Sequence, residues 1–206
     1  PAYRDLSSGI CQAMAAHYGK NPIVLAWQLD NELGHPFCFF HRCLTLFREW
    51  CARLFTSIEA FNDALCLDFW GQTVSSFSDI AFPPASEHPG LWNLYHAFLS
   101  EITVNLYGSH AEIIRSLSPA PVTTNMMLTW YGYDHEALGR HLDQISGDHY
   151  GLMGSIFGDA FAEQAFVQAF LRSIKPGTNP WFAEFACSGG LPPGMVRWGV
   201  LTHIGM

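Results

Sequence analysis

Positive charge is scarce in this sequence. Ten Lys and Arg are scattered through 206 residues, and the formal net charge is -8. Neutralising a phosphate backbone takes clustered cations, so nucleic acid is excluded as a partner. Charged residues of both signs amount to 14% of the chain, well under the usual quarter, while 49% is hydrophobic. Disordered chains have the opposite balance. No apolar run reaches the roughly 20 residues that a membrane-crossing helix needs, which removes the membrane as a partner. Internal repeats and low-complexity runs are missing as well. No signal peptide is visible, but the chain opens at Pro1 rather than Met, so this says little about compartment. Cysteine is sparse: Cys11, Cys38, Cys43, Cys51, Cys66 and Cys187 are too few for a small disulfide scaffold. Cys51 and Cys66 stand among apolar residues and read as inert core thiols. Reduced cysteines and a cytoplasmic setting are the expectation.

What is present is an alternation of short apolar runs and long amphipathic ones, in a chain long enough for one sizeable core. A helix is expected over 2–18, with Leu6, Ile10 and Met14 near helical spacing and Gly19 and Pro22 at its end. Residues 23–30 read as a strand. From 43 to 60 a helix carries Leu44, Phe47, Cys51, Leu54, Phe55 and Ile58 on one face. A loop-rich stretch follows over 68–90, then a long helix over 91–117. Pro119 and Pro121 bracket a strand at 121–127, another is expected within 142–150, a helix at 160–174, and a last strand at 181–185 after Pro180. Strands spaced by helices imply parallel βαβ units. A complete (β/α)₈ barrel usually takes about 250 residues and eight strands, so the expectation is one α/β domain over 1–206, a partial barrel of the TIM type.

Chemistry concentrates in Trp27-Gln28-Leu29-Asp30-Asn31-Glu32-Leu33-Gly34. The apolar run Ile23-Val24-Leu25-Ala26 leads into an amide beside a carboxylate, and the carboxyl ends of barrel strands are where catalytic groups sit. Glycoside hydrolysis needs a carboxyl group to protonate the leaving oxygen, and an adjacent Asn can hold a sugar hydroxyl. Taken alone, Asn31-Glu32 reads better as a surface turn. A partner carboxylate belongs at the end of another strand, and Glu184, after Trp181-Phe182-Ala183, fits. By itself it reads equally as an edge-strand charge.

The order of motifs resembles the catalytic domain of the glycoside hydrolase family 42 β-galactosidases. The resemblance runs from Tyr3-Arg4 and Tyr18 through 22–34, then Cys43–Trp50, Phe69–Gln72, Pro121–Met126, Asp148–Tyr150, Trp181–Glu184, Pro193-Gly194 and Arg197-Trp198. It implies a retaining (β/α)₈ glycosidase acting on terminal β-D-galactosides, with Glu32 as general acid/base closing strand four and Glu184 as nucleophile on strand seven. The chain would then hold strands four to seven, a fragment of the catalytic domain. A catalytically inactive half-barrel remnant is the alternative. Asn31 would bind the hydroxyl next to the anomeric carbon, and Tyr150 would steady the nucleophile. Trp70 would line the sugar site, and Asn125 is a further substrate-binding candidate. Tyr150 and Trp70 read about as well as plain structure, a core Tyr and a packing Trp, and for Asn125 a strand-end turn Asn is the preferred reading. Strand alternation is expected to turn Asp30 away from Asn31, and Asp148 reads as a loop hydrogen-bonder. The expected partner is a small galactoside or oligosaccharide, and full-length relatives of this kind are often homo-oligomers.

His35, Cys38, His41 and Cys43 lie within nine residues. Zinc takes Cys and His in tetrahedral sets of four. Some family 42 members hold a structural zinc near this point through several cysteines. Here Phe40 occupies the place of one expected thiol, so no metal or cofactor is expected, with Cys38 and Cys43 the remaining candidate ligands. The sequence departs from the family in two further places. Phe185 follows Glu184 where a Gln is usual, and the Trp that precedes Pro-Gly has no counterpart in Cys187-Ser-Gly-Gly190.

Overall fold

The computed structural model describes residues 2–34, 38–69, 71–83, 88–127, 132–150, 160–185 and 194–205. Two compact units divide the chain: Pro1–Gly34 with Val104–Met206, and His35–Thr103.

The first unit is built of parallel sheet, in one pair and one set of three strands, flanked by helices. Its helices are α1 (Ala2–Tyr18), the later part of a long helix spanning Pro89–Leu117, a short helix at His135–Gly139, one at Ala160–Ile174 and one at Met195–Gly205. Its strands are β1 (Trp27–Gln28), β2 (Val122–Thr123), β3 (Asn125–Met126), β4 (Ser146–His149) and β5 (Trp181–Phe185). Every pairing is parallel. Trp27 lies opposite Val122, Asn125 opposite Ser146, and Ser146 opposite Trp181. Strands parallel to their chain neighbours need helical crossovers, and the alternating pattern supplies them.

The strands are shorter than the apolar runs suggest. Within 23–30 only Trp27–Gln28 pairs, because Ile23 and Leu25 point into solvent at 82% and 83% exposure. The strand expected over 121–127 is broken at Thr124. There the side chains replace the ladder: the Thr124 hydroxyl donates to the Leu29 carbonyl at 2.6 Å, and the Ser146 hydroxyl donates to the Thr124 carbonyl at 2.8 Å. The run 142–150 begins as a turn, since the Asp143 and Gln144 amides both donate to the Val122 carbonyl, at 2.9 and 3.2 Å. A register shift between Gly147 and Asp148 then sets Asp148 directly across from Glu184.

Beneath this sheet lies one core, built around Val122, Met126, Leu138, Ile145, Val167 and Leu171. Gly147 is needed for it: a Cβ there would meet Leu171 Cδ2 and the Met126 carbonyl oxygen, each at 3.1 Å. Gly19 is tighter still. Its added Cβ would stand 2.4 Å from the Ala15 carbonyl oxygen and 2.5 Å from that of Leu117. Backbone atoms cannot swing aside as side chains do, so Gly19→Ala is expected to destabilise the fold by roughly 2 kcal/mol, a melting-temperature loss of about 4–8 °C by calorimetry.

The second unit is helical. It holds α2 (His41–Leu54), α3 (Ile58–Ala64), a 3₁₀ turn at Phe77–Asp79 and the first part of the Pro89–Leu117 helix, α4. The single helix expected over 43–60 is therefore two. The break comes at Ser57, whose hydroxyl accepts from the Ala60 amide at 3.1 Å and starts a new helix. Aromatic packing dominates the core here, with Phe47, Phe61, Tyr95 and Phe98 buried together. Cys51 is buried among them, and desolvation pushes its thiol up to about 12. Cys66 departs from expectation: it is exposed, in a left-handed backbone conformation with φ 52°. Cys38 and Cys43 are joined in a disulfide, so the expectation of reduced cysteines fails for this pair and neither thiolate is free to ligate zinc. His35 lies outside the described residues. Among the described residues, no helix is long and apolar enough to cross a membrane.

Candidate active site

Just past β1 the backbone makes an unusual turn. Asp30 and Glu32 both adopt left-handed φ, 52° and 46°, which non-glycine residues reach at a cost. Side-chain bonds hold the turn. The Asn31 amide donates to Asp30 Oδ1 at 2.8 Å, and the Tyr107 hydroxyl donates to Asp30 Oδ2 at 2.6 Å. Gln28 Nε2 donates to the Asp30 carbonyl at 3.0 Å. Asp30 is thus turned away from the pair, as expected, but by this left-handed backbone rather than by strand alternation. The turn presents Asn31 exposed and Glu32 half-buried.

Asn125 on β3 is the centre of the site, and a strand-end turn residue is not what it is. It is fully buried. Its Oδ1 accepts from the Glu32 amide at 2.9 Å and from Gln28 Nε2 at 3.1 Å. Its Nδ2 reaches Asp148 Oδ2 at 2.9 Å, Asn31 Oδ1 at 3.1 Å and Glu184 Oε1 at 3.2 Å. An amide nitrogen has two protons. Three acceptors therefore share them, and one side chain ties the ends of three strands into a single constellation.

On β5, Glu184 is half-buried and faces Asn125 with one oxygen. Its other oxygen, Oε2, accepts from the Tyr150 hydroxyl. That bond pushes the Tyr150 proton up to about 12, so the phenol stays a donor throughout the working range. One oxygen each of Glu32, Asp148 and Glu184 lies within 4.8 Å of the other two. Three carboxyl groups at such spacing cannot all ionise freely, and either a proton or a cation relieves the repulsion. Burial, and after it the Glu184 charge, pushes the Asp148 carboxyl up to about 7.

Glu32, Glu184, Asn31, Tyr150 and Asn125 therefore meet at one place, while Trp70 lies outside the described residues. Sequence reasoning missed Gln28 and undervalued Asp148. Asp148 sits in a stretch of buried polar residues, Ser146-Gly147-Asp148-His149, like Thr123-Thr124-Asn125 on the neighbouring strand, whereas Gln28 is exposed and carries no such mark. Polar runs of that kind, flanked by apolar residues inside a strand pattern, are the signal that could have found Asp148.

Comparison with known proteins gives a consistent answer. The glycoside hydrolase family 42 model, described as β-galactosidase, matches residues 1–198. The β-galactosidase BbgII of Bifidobacterium bifidum is 32% identical over 193 residues, covering 88% of this chain and 27% of its own length. The crystal structure of the β-galactosidase of Marinomonas ef1 superposes with a TM-score of 0.86 at 25% identity, covering 98% of this chain and 35% of that one. The β-galactosidase of Halorubrum lacusprofundi superposes with a TM-score of 0.82 at 26% identity, covering 98% and 35%. The chain thus spans about a quarter to a third of the length of these relatives, and its parallel strands and helices form part of a (β/α)₈ barrel.

Proposed function

The chain belongs to the glycoside hydrolase family 42 β-galactosidases, and on that premise we propose that it carries the reacting groups of a retaining enzyme that cleaves terminal β-D-galactosides. Glu184 attacks the anomeric carbon. The bond to the departing oxygen breaks as Glu32 gives that oxygen its proton, leaving a galactosyl ester on Glu184. Water then loses a proton to Glu32 and attacks the same carbon, releasing the sugar and the Glu184 carboxylate.

The observation that carries this reading is the spacing. Carboxyl groups about 5–5.5 Å apart suit a nucleophile and an acid, whereas an inverting pair stands about 6.5–9.5 Å apart to admit water. One oxygen of Glu32 and one of Glu184 lie within 4.8 Å of each other, on the close side of that division. Asn31 and Tyr150 complete the arrangement. Asn31 is exposed beside Glu32 and offers an amide to the hydroxyl next to the anomeric carbon. Tyr150, bonded to Glu184, holds the nucleophile's free lone pair toward the sugar.

The test is turnover of an aryl β-D-galactoside by the chain, with proton NMR of the first sugar released. The expected result is β-galactose before mutarotation. α-Galactose as the first product would replace the double displacement by a single one. A folded chain that releases no aglycone would make it a non-catalytic remnant of the family.

A further inference from the structure

In the double displacement Asp148 has no task, yet it is the buried one of the three carboxyl groups, Glu32 and Glu184 being half-buried. It is 5% exposed, and its Oδ1 is buried with no hydrogen-bond partner among the described residues. An ionised carboxylate does not tolerate a dry, unbonded oxygen, whereas a carboxylic acid can place its proton there. The other oxygen accepts from Asn125 Nδ2 at 2.9 Å, and the Glu184 backbone amide also bonds the carboxyl; both contacts oppose the upward push of burial and of the neighbouring charges without cancelling it. Around Asp148 stand Glu184 on β5, Glu32 after β1, Tyr133 before the short helix at His135–Gly139, and Tyr150 beyond its own strand. All four are acids. The ion pairs formed among the described residues, Arg115–Asp143 and Arg140–Glu136, lie elsewhere.

We propose that Asp148 is a positioning residue: a neutral carboxylic acid that keeps its proton beside the two glutamates while its Oδ2 fixes the Asn125 amide against Glu184 and Asn31. Its catalytic meaning rests on the proposed hydrolase, but its charge state does not. No bond forms or breaks at Asp148 in either displacement. As a neutral donor it leaves the negative charge of the cluster on the nucleophile. When it ionises, a further negative charge appears where no cation among the described residues answers it, and the Asn125 protons are drawn from Glu184 to Asp148. Activity then falls as pH rises through that ionisation. Asp148 also links pH to folding. The folded chain keeps a proton that the unfolded chain loses near pH 4, so stability declines from about pH 4 to about pH 7.

The decisive experiment is a carboxyl-carbon NMR titration of the chain labelled at aspartate. One aspartate is expected to titrate near 7, to vanish in Asp148→Asn, and to move down by about one unit in Glu184→Gln. The proposal is overturned if every aspartate titrates near the ordinary value of about 3.9, or if the high midpoint survives Asp148→Asn. With an aryl β-galactoside, Asp148→Asn is expected to retain about a tenth or more of kcat/KM and Asp148→Ala to lose roughly 100-fold, or two decades of transition-state stabilisation. The alkaline limb of kcat/KM should move upward in Asp148→Asn by about half a unit or more, because Asn cannot ionise. Asn as damaging as Ala, or an unmoved alkaline limb, overturns the positioning role. Absence of turnover in the unsubstituted chain would count against the hydrolase reading instead, and the titration would still decide the state of Asp148.

Discussion

Replacing Glu184 by Ala is expected to lower kcat/KM for an aryl β-galactoside on the order of 10⁴-fold, about 5.4 kcal/mol of transition-state stabilisation. The loss is large because, in the proposed double displacement, the substitution removes the atom that forms the covalent intermediate, and water in its place must attack without being held. The fold should survive. Glu184 is half-buried, and its partners Tyr150 and Asn125 keep other contacts or solvent. Sodium azide makes the result specific. With a good leaving group, azide enters the emptied space, attacks the anomeric carbon from below and gives α-galactosyl azide, restoring part of the rate. Glu32→Ala should behave oppositely. Its loss of about 10²–10⁴-fold falls on the proton transfers, so azide should intercept the galactosyl ester and give β-galactosyl azide. If both variants gave the same anomer, or neither responded to azide, the two roles would not be those assigned.

Asn125→Asp is expected to be nearly as damaging, although it changes one NH₂ to an oxygen. In the parent the Nδ2 protons serve Asp148, Asn31 and Glu184, while Oδ1 holds the Glu32 amide and Gln28. An aspartate there keeps the accepting side and inverts the donating side. A fourth acid would then face two carboxyl groups at about 3 Å in a fully buried position. Breaking one partner of a buried charged network costs roughly 3–5 kcal/mol, so a melting-temperature loss of about 10 °C is expected beside a fall in kcat/KM on the order of 10³-fold. Asn125→Ala, which deletes the bonds without adding charge, should lose less. Asp tolerated better than Ala at this position would mean that the Nδ2 contacts do not organise the site.

The two glutamates were legible in the sequence, for a definite reason. Each follows a short apolar run, Ile23–Ala26 or Trp181–Ala183, and such a run marks a strand whose end can present a carboxylate. The strand order was legible too, since alternating runs separated by helices leave parallel pairing as the ready solution. Strand lengths were not. Ile23 and Leu25 have the apolar character of a buried strand but are exposed, and hydropathy alone cannot distinguish the two. Thr124 interrupts a strand that the sequence writes as continuous, because its hydroxyl substitutes for a ladder bond. Asn125 and Asp148 were undervalued for the same reason. Their importance lies in partners that come from 23 to 97 positions away along the chain, and no local pattern encodes an amide shared among three acceptors. Cys38 and Cys43 show the limit of spacing arguments. The same two thiols suit half a zinc site or a bridge across a five-residue separation, and the structure forms the bridge.

The left-handed backbone at Glu32 carries an evolutionary tension. Glycine would adopt that conformation without the penalty of roughly 1–2 kcal/mol that a Cβ incurs, and would also remove one of three crowded acids. Glu32→Gly is therefore expected to be both inert toward sugar and harder to melt than its parent. A library of random variants sorted by heat resistance alone would collect dead proteins at this codon, and only selection for growth on a galactoside would keep the acid in place.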